Sequence, residues 1–407
     1  MQTKQSEALR ILHTADWHIG QSFFEYDRKA EHLVFFDWLK KQIQQQSVDV
    51  LLIAGDVFDS PNPSAESQKM YYRFLREVTT ENPGLQIVAI AGNHDSAGRL
   101  EAPNPLLEEM NISVKGIVKR TPEGEIDYEN LLIPLTKNGE TVAWCLVVPY
   151  LRQGDYPPAE SYAAGVGLMY DSLYDKVKNR GLPIVAMGHL QATGAELSDN
   201  DRSERTVIGG LECVSPDSFA KDVAYTALGH LHKPQRVSGR EHVRYSGAPL
   251  PMSFAEKNYK QGVDLITIDK QLKSIERLAF DSPVKLLSIP KQAQPLEDVL
   301  LCIAELPNGE PTYTSPFLEI KVLITEPEPS LRHQIEEALK DKAIRLARIS
   351  SVTATGKTQS NTITYEQLQT INPMEMAVDI FKQKYGGDDM PEHLKGLLQS
   401  IIQDIDR

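Results

Sequence analysis

The chain has 407 residues, 41% of them apolar and 24% charged, and carries a formal net charge of -13. That length predicts more than one domain, and no apolar stretch is long enough to span a bilayer, so membrane insertion is not expected. The acidic balance counts against bulk electrostatic wrapping of nucleic acid, which needs clustered Lys and Arg, although bound metal ions or a partner subunit can supply the missing positive charge.

The stretch Met1 to Leu12 is polar and lacks the basic start, apolar middle and cleavage site of a signal peptide, which predicts a cytoplasmic protein. From Arg10 to about Asp281, short β-rich apolar runs alternate with longer helical patterns, the signature of an α/β domain. Candidate strands are Arg10 to Thr14, Val48 to Ala54, Gln86 to Ala91, Thr141 to Val148, Leu182 to Met187 and Tyr225 to Leu228. Between the first two, Leu33, Phe36, Leu39 and Ile43 recur at steps of three or four residues and predict a helix over Arg28 to Gln46. Val243 to Lys270 reads as hairpin-like strands closing this domain, residues 1–281.

A small α+β module follows over residues 282–352, with strand-like Val284 to Ile289 and Phe317 to Ile324, helix-like Leu296 to Ala304 and Ser330 to Leu339, then the segment Ala343 to Val352. Residues 353–364, rich in Thr, Ser, Gly and Asn, read as a linker. Residues 365–407 read as two amphipathic helices: Pro373 opens one, Gly386-Gly387 ends it, and the next sets Leu394, Leu397, Leu398, Ile401, Ile402 and Ile405 on one face. That face is expected to pack on its own domain or to dock on helices of another subunit.

The three cysteines, Cys145, Cys213 and Cys302, show no paired spacing and read as small buried apolar residues rather than as a disulfide or a thiolate zinc site. Gly356-Lys357-Thr358 looks like the end of a phosphate-binding loop, yet Ser351 stands where that motif needs its first glycine, so no ATP is expected on this chain. Arg28, Arg202 and Arg205 are weak candidates for phosphate contact, since isolated arginines more often pair with acids or with water.

Chemistry concentrates in five motifs at or near strand ends: Asp16-Trp17-His18, Gly55-Asp56-Val57-Phe58-Asp59, Gly92-Asn93-His94-Asp95, Gly188-His189 and Gly229-His230-Leu231-His232. Five of the ten histidines lie in them, which decides between chance and design, because a lone Asp-x-His or Gly-His means little. Together they offer carboxylate, imidazole and amide oxygen, ligands suited to Mn²⁺, Fe²⁺ or Zn²⁺. Two adjacent cations require a shared anion, and Asp56 is the candidate bridge. A glycine precedes four of the candidate ligands, where a missing Cβ lets the chain turn sharply. His13, His32, His242, His333 and His393 are read as structural or surface histidines.

This ordered set resembles the calcineurin-like metallophosphoesterase superfamily. Longer strings, namely His13 to Gly20, Ala54 to Asp59, Ala91 to Ser96, Ala227 to Gln235 and YSGAPLPMSF over Tyr245 to Phe254, are similar to the SbcD family, bacterial relatives of the Mre-type recombination nucleases. The resemblance implies a four-layer sandwich of two mixed β-sheets flanked by helices, followed by a small α+β capping domain and a C-terminal helical tail. It implies two divalent ions, Mn²⁺ foremost, with Asp16, His18, Asp56 and His232 on one and Asp56, Asn93, His189 and His230 on the other. His94 is implied as the unligated catalytic group near the scissile phosphate, whereas Asp59 stands where archaeal and eukaryotic relatives carry a second histidine.

The implied partners are DNA and an SbcC-type coiled-coil ATPase gripped by the tail helices, in a heterotetramer built on a homodimer. The implied reaction is phosphodiester hydrolysis, with double-strand exonuclease and single-strand or hairpin endonuclease action in repair and recombination. Since His18, His189, His230 and His232 must be neutral to bind metal, activity is expected to fall below their ordinary value of about 6.5. A protein phosphatase or cyclic-nucleotide phosphodiesterase of the same fold is the first rival, but Ser60-Pro61 stands where phosphoprotein phosphatases carry Arg-Gly. A non-catalytic scaffold is the second, and the complete ligand set argues against it.

Overall fold

The computed structural model describes residues 8–196, 213–324, 328–353, 391 and 394–395. Two six-stranded mixed sheets dominate it. In the first, Leu9–Thr14, Val50–Ala54, Gln86–Ile90 and Ile112–Lys115 run parallel, and Gly262–Asp269 pairs antiparallel with Leu9–Thr14 on the other side. In the second, Glu140–Val147, Ile184–His189, Val223–Gly229 and Arg240–Tyr245 run parallel to their neighbours, with Leu132–Lys137 antiparallel at one edge.

Strand periodicity explains the layering, because successive side chains point to opposite faces. In Val50–Ala54, Leu51 and Ile53 join Phe35, Leu39, Tyr71 and Phe74 of the helices Lys29–Gln45 and Ala65–Glu81. Val50, Leu52 and Ala54 face the other sheet and meet Ile133, Cys145, Val185, Met187 and Ala227. The far face of the second sheet packs Leu146, Ala186 and Leu228 on Val166, Met169, Tyr170 and Leu173 of the helix Tyr162–Val177. The result is a helix, sheet, sheet, helix sandwich, and strands buried on both faces read as unbroken apolar runs.

Two expectations need correction. Val243 to Lys270 is not one hairpin: Arg240–Tyr245 lies beside Val223–Gly229 in the second sheet, whereas Gly262–Asp269 belongs to the first and turns into Gln271–Ala279. Alternation reveals a strand but not the edge it joins, and the chain between, 246–261, passes from one sheet to the other. Of the cysteines, only Cys145 is a buried apolar residue; Cys213 is exposed and Cys302 half-buried.

Beyond these sheets, Leu286–Gln294, Phe317–Ile324 and Arg345–Thr353 form a three-stranded sheet with Phe317–Ile324 in the middle. The helices Leu296–Ala304 and Leu331–Leu339 cover it through Val299, Ile303 and Ile335, which meet Leu318, Ile320 and Val322 in a separate core. Phe23, Phe254, Val284 and Phe317 cluster beneath it. Among the described residues no helix is long and apolar enough to cross a membrane. Arg202, Arg205, His393, Gly356-Lys357-Thr358, and the linker and helix pair expected over 353–407 lie outside the described residues, apart from Thr353, Pro391, Leu394 and Lys395.

Candidate metal centre

All five motifs sit at the carboxyl ends of strands, three from the first sheet and two from the second. In-register pairing, Thr14 with Ile53, Ala54 with Ile90 and Gly229 with His189, lines those ends up. Main-chain bonds then lock the turns together: Asp16 N donates to Gly55 O and His18 N to Asp56 O, each at 3.0 Å. Two side-chain bonds stitch the sheets across the site. His230 N donates to Asp16 Oδ1 at 2.9 Å, and His189 Nδ1 donates to Ala54 O at 2.9 Å.

Convergence of these loops strains the backbone at four of the candidate ligands. Asp16, His18, Asp56 and His230 have φ of 55, 47, 50 and 105°, a region that costs a non-glycine residue about 1–3 kcal/mol and persists only where surrounding structure enforces it. The glycine expectation holds for Gly55, whose φ is 91°. Gly92 and Gly229 are needed for space instead: a Cβ there would lie 2.1 Å from Asp56 Oδ1 and 1.9 Å from Ala54 O.

The side chains meet as atoms that repel unless something positive lies among them. Asp16 Oδ2 and Asp56 Oδ2 are fully buried and make no hydrogen bond, yet Asp56 Oδ2 is 3.2 Å from His189 Nε2 and 3.8 Å from His18 Nε2. Because His189 Nδ1 already donates to Ala54 O, the ring in its neutral form presents a lone pair at Nε2, which faces Asn93 Oδ1 at 2.9 Å. His230 Nδ1 approaches the same Asn93 oxygen at 3.0 Å, and His18 Nε2 faces His232 Nε2 at 3.3 Å. Ligand atoms of Asp16, His18 and Asp56 all fall within 4.8 Å of one another. Buried acceptors crowded in this way fit divalent cations.

Titration follows the same crowding. Burial, opposed by the neighbouring imidazoles, raises the Asp16 carboxyl to about 6. Burial works against a charged His189, but Asp56 and Asp16 outweigh it and lift that imidazole to about 10. Burial would also raise Asp56, yet His189, His18 and His94 hold it far below the usual carboxylate range.

His94 is half-buried and set edge-on to His18, with ring centres 4.8 Å apart. Its Nδ1 donates to Asp59 O at 3.0 Å and its backbone N donates to Asp56 Oδ1 at 2.8 Å. Asp59 thus holds His94 through its carbonyl and stands 3.3 Å from His18 Nδ1 through its carboxylate.

Residues outside the predicted ligand set also shape the site. Asp95 lies within a motif, and its buried carboxylate accepts from Gly92 N, Val57 N and Phe58 N at 2.9, 3.1 and 2.9 Å, tying two ligand loops together. His32, read as structural, donates from Nε2 to Trp17 O at 2.8 Å and so braces the turn between Asp16 and His18. Glu256 stands 3.3 Å from His232 Nδ1, two residues beyond the YSGAPLPMSF string, and no spacing rule points to it. Arg28 is fully buried and bonded to Glu31, Gln21 and Pro251 O, so it is not a phosphate contact. His13 stays outside the ligand set: it is buried against Tyr225 OH at 2.8 Å, and burial lowers it to about 4.

Comparison with known proteins identifies relatives over most of the chain. Residues 9–234 match the family model of calcineurin-like phosphoesterases, and residues 282–385 match the model described as "Type 5 capsule protein repressor C-terminal domain". The SbcD subunit of the SbcCD nuclease from Rhodobacter capsulatus is 38% identical over 356 residues, 84% of this chain and 87% of that protein. The protein of the same name from Escherichia coli K12 is 30% identical over 416 aligned positions, 97% of each chain. That of Bacillus subtilis is 30% identical over 269 residues, 63% of this chain and 66% of the relative.

Proposed function

The chain belongs to the calcineurin-like phosphoesterase family and, within it, to the SbcD group of SbcCD nuclease subunits, and from that premise we propose how its side chains cut DNA. It is a metal-dependent nuclease that hydrolyses phosphodiesters. The observation that carries the residue assignment is the meeting of two hydrogen-bond-free buried carboxylate oxygens, Asp16 Oδ2 and Asp56 Oδ2, with four imidazoles and an amide at one end of the facing sheets.

Asp16, His18, Asp56 and His232 hold one divalent ion, and Asp56, Asn93, His189 and His230 hold the other. The 3.3 Å approach of His18 to His232, and the approach of both His189 and His230 to Asn93, support that partition. Such ions, foremost Mn²⁺, supply positive charge to the phosphoryl oxygens and lower the pKa of water. Asp56 Oδ2 lies toward both ligand groups while Oδ1 accepts from His94 N, so the shared carboxylate also fixes the loop that carries the catalytic histidine. His94 is that catalytic group: with Nδ1 donating to Asp59 O, its Nε2 faces the reaction, and only in the doubly protonated imidazolium does that nitrogen give a proton to the departing sugar oxygen, leaving the neutral Nδ1-protonated ring.

The substrate is DNA, cut as a double-strand exonuclease and as a single-strand or hairpin endonuclease in the cytoplasm, in concert with an SbcC-type ATPase. Residues 1–281 form the nuclease domain, 282–352 cap it, 353–364 link, and 365–407 dock on the ATPase, in a heterotetramer built on a homodimer of this chain. ATP binds the partner. That division of labour reconciles a net charge of -13 with a DNA substrate, since the cations and the partner supply the positive field. The test is Mn²⁺-dependent cleavage of end-labelled duplex and hairpin DNA, with and without the ATPase and ATP. Cleavage of both substrates is expected, and activity confined to small phosphate esters would overturn the DNA reading.

A further inference from the structure

The YSGAPLPMSF string has no ligand in it, yet the chain crosses between the two sheets there and ends against the site. Ala248 N donates to His232 O at 3.1 Å, which seats the start of the crossing on the loop that carries His232. At its end a single 3₁₀ turn, Phe254–Glu256, folds a buried carboxylate back on the string. Glu256 Oε2 accepts from Met252 N at 2.8 Å, Oε1 accepts from Ser253 Oγ at 3.4 Å, and Oε1 stands 3.3 Å from His232 Nδ1.

The same string is gripped from the other side. Arg28, held in place by Glu31, donates to Pro251 O at 2.6 Å and to Gln21 Oε1 at 3.0 Å, while Gln21 N donates to His18 O at 3.0 Å. His18 Nε2 in turn faces His232 Nε2 at 3.3 Å. A closed circuit therefore runs from His18 through Gln21, Arg28, the Pro251–Met252 segment and Glu256 to His232, and back to His18.

We propose that Glu256 is the positioning residue of one cation site: by accepting the Nδ1 proton of His232 it fixes that ring's tautomer and aims Nε2 at the ion shared with His18. This rests on the ligand partition given above. A carboxylate on the far nitrogen of a metal-binding imidazole orients the ring and raises its basicity, and its removal typically weakens metal binding about 10–100-fold. Glu256 reaches the ligands through His232, a member of one set, and its other side-chain bonds go to Met252 and Ser253 just before it in the chain, so loss of its carboxylate acts on one ion and spares the other.

Titration of the full-length, metal-stripped chain with Mn²⁺, followed by electron paramagnetic resonance and calorimetry, tests this. Wild type is expected to take up two ions. Glu256→Gln keeps the shape of the turn, because its one oxygen still accepts from Met252 N, but it turns an amide toward His232. It is expected to bind one Mn²⁺ normally and the second about 10–100-fold more weakly, with an unchanged melting temperature before metal is added. Nitrogen-15 spectra of the His232 ring are expected to lose the single Nδ1-protonated tautomer of the wild type. Two ions bound at wild-type affinity by Glu256→Gln would overturn the proposal, as would loss of both sites in step with a fall in metal-free melting temperature. A wild-type chain that takes up no Mn²⁺ would overturn the ligand reading itself, an outcome visible before any variant is made.

Discussion

The main-chain carbonyl of Asp59 accepts a 3.0 Å hydrogen bond from His94 Nδ1, so the ring proposed as catalytic is aimed by a residue 35 positions earlier in the chain. That bond leaves Nε2 for proton transfer and places no demand on the cations. His94→Ala is therefore expected to retain metal and lose cleavage by about 10²–10⁴-fold, the usual worth of a positioned acid or base. Asp56→Ala removes the shared carboxylate and loses metal as well. Metal analysis beside a nuclease assay reads both, and equal metal loss in the two variants would contradict the separate role of His94.

His189 is lifted to about 10 by Asp56 and Asp16, against the opposing effect of burial. A raised folded-state value means that charged His189 stabilises the metal-free fold fully below about pH 6.5, and that this contribution is lost as pH rises through about 10. Metal needs the neutral ring. The gap in melting temperature between metal-loaded and metal-stripped protein should thus widen from pH 6.5 toward 10, and Mn²⁺ uptake near pH 7 should release protons. Calorimetry in buffers of different ionisation enthalpy counts them; no proton release at pH 7 would contradict a charged His189.

Asp95 accepts three backbone N–H groups from the two loops that carry Asp56 and Asn93. Asp95→Asn turns one acceptor oxygen into a donor and leaves at least one of those groups unsatisfied. The expected cost is about 1–3 kcal/mol of unfolding free energy, with weaker Mn²⁺ binding. Denaturant titration together with metal binding checks it, and an unchanged midpoint would count against the role.

Gly92→Ala places a methyl group 2.1 Å from Asp56 Oδ1, and Gly229→Ala places one 1.9 Å from Ala54 O. Both should displace the ligand loops and lower metal occupancy. Gly84→Ala, where a Cβ meets nothing within 4 Å, should bind Mn²⁺ as wild type does and serves as the control. Full Mn²⁺ binding by Gly92→Ala would show that the loop yields more easily than its packing implies.

Much of this molecule is legible in the order of its residues. Apolar runs such as Val50–Ala54 announce strands buried on both faces, and Asp, His and Gly at their ends mark candidate ligands, because both signals are local. Sequence order could not say that Arg240–Tyr245 and Gly262–Asp269 join different sheets, since alternation is the same whichever edge a strand meets. Nor could it find Glu256 behind His232, Asp59 beneath His94, or the burial of Arg28. Those relations join residues 24 to 223 positions apart, or depend on which atom of a residue faces inward. Local chemistry marked the candidate ligands; only the closing of one sheet on the other decided which groups stand behind them.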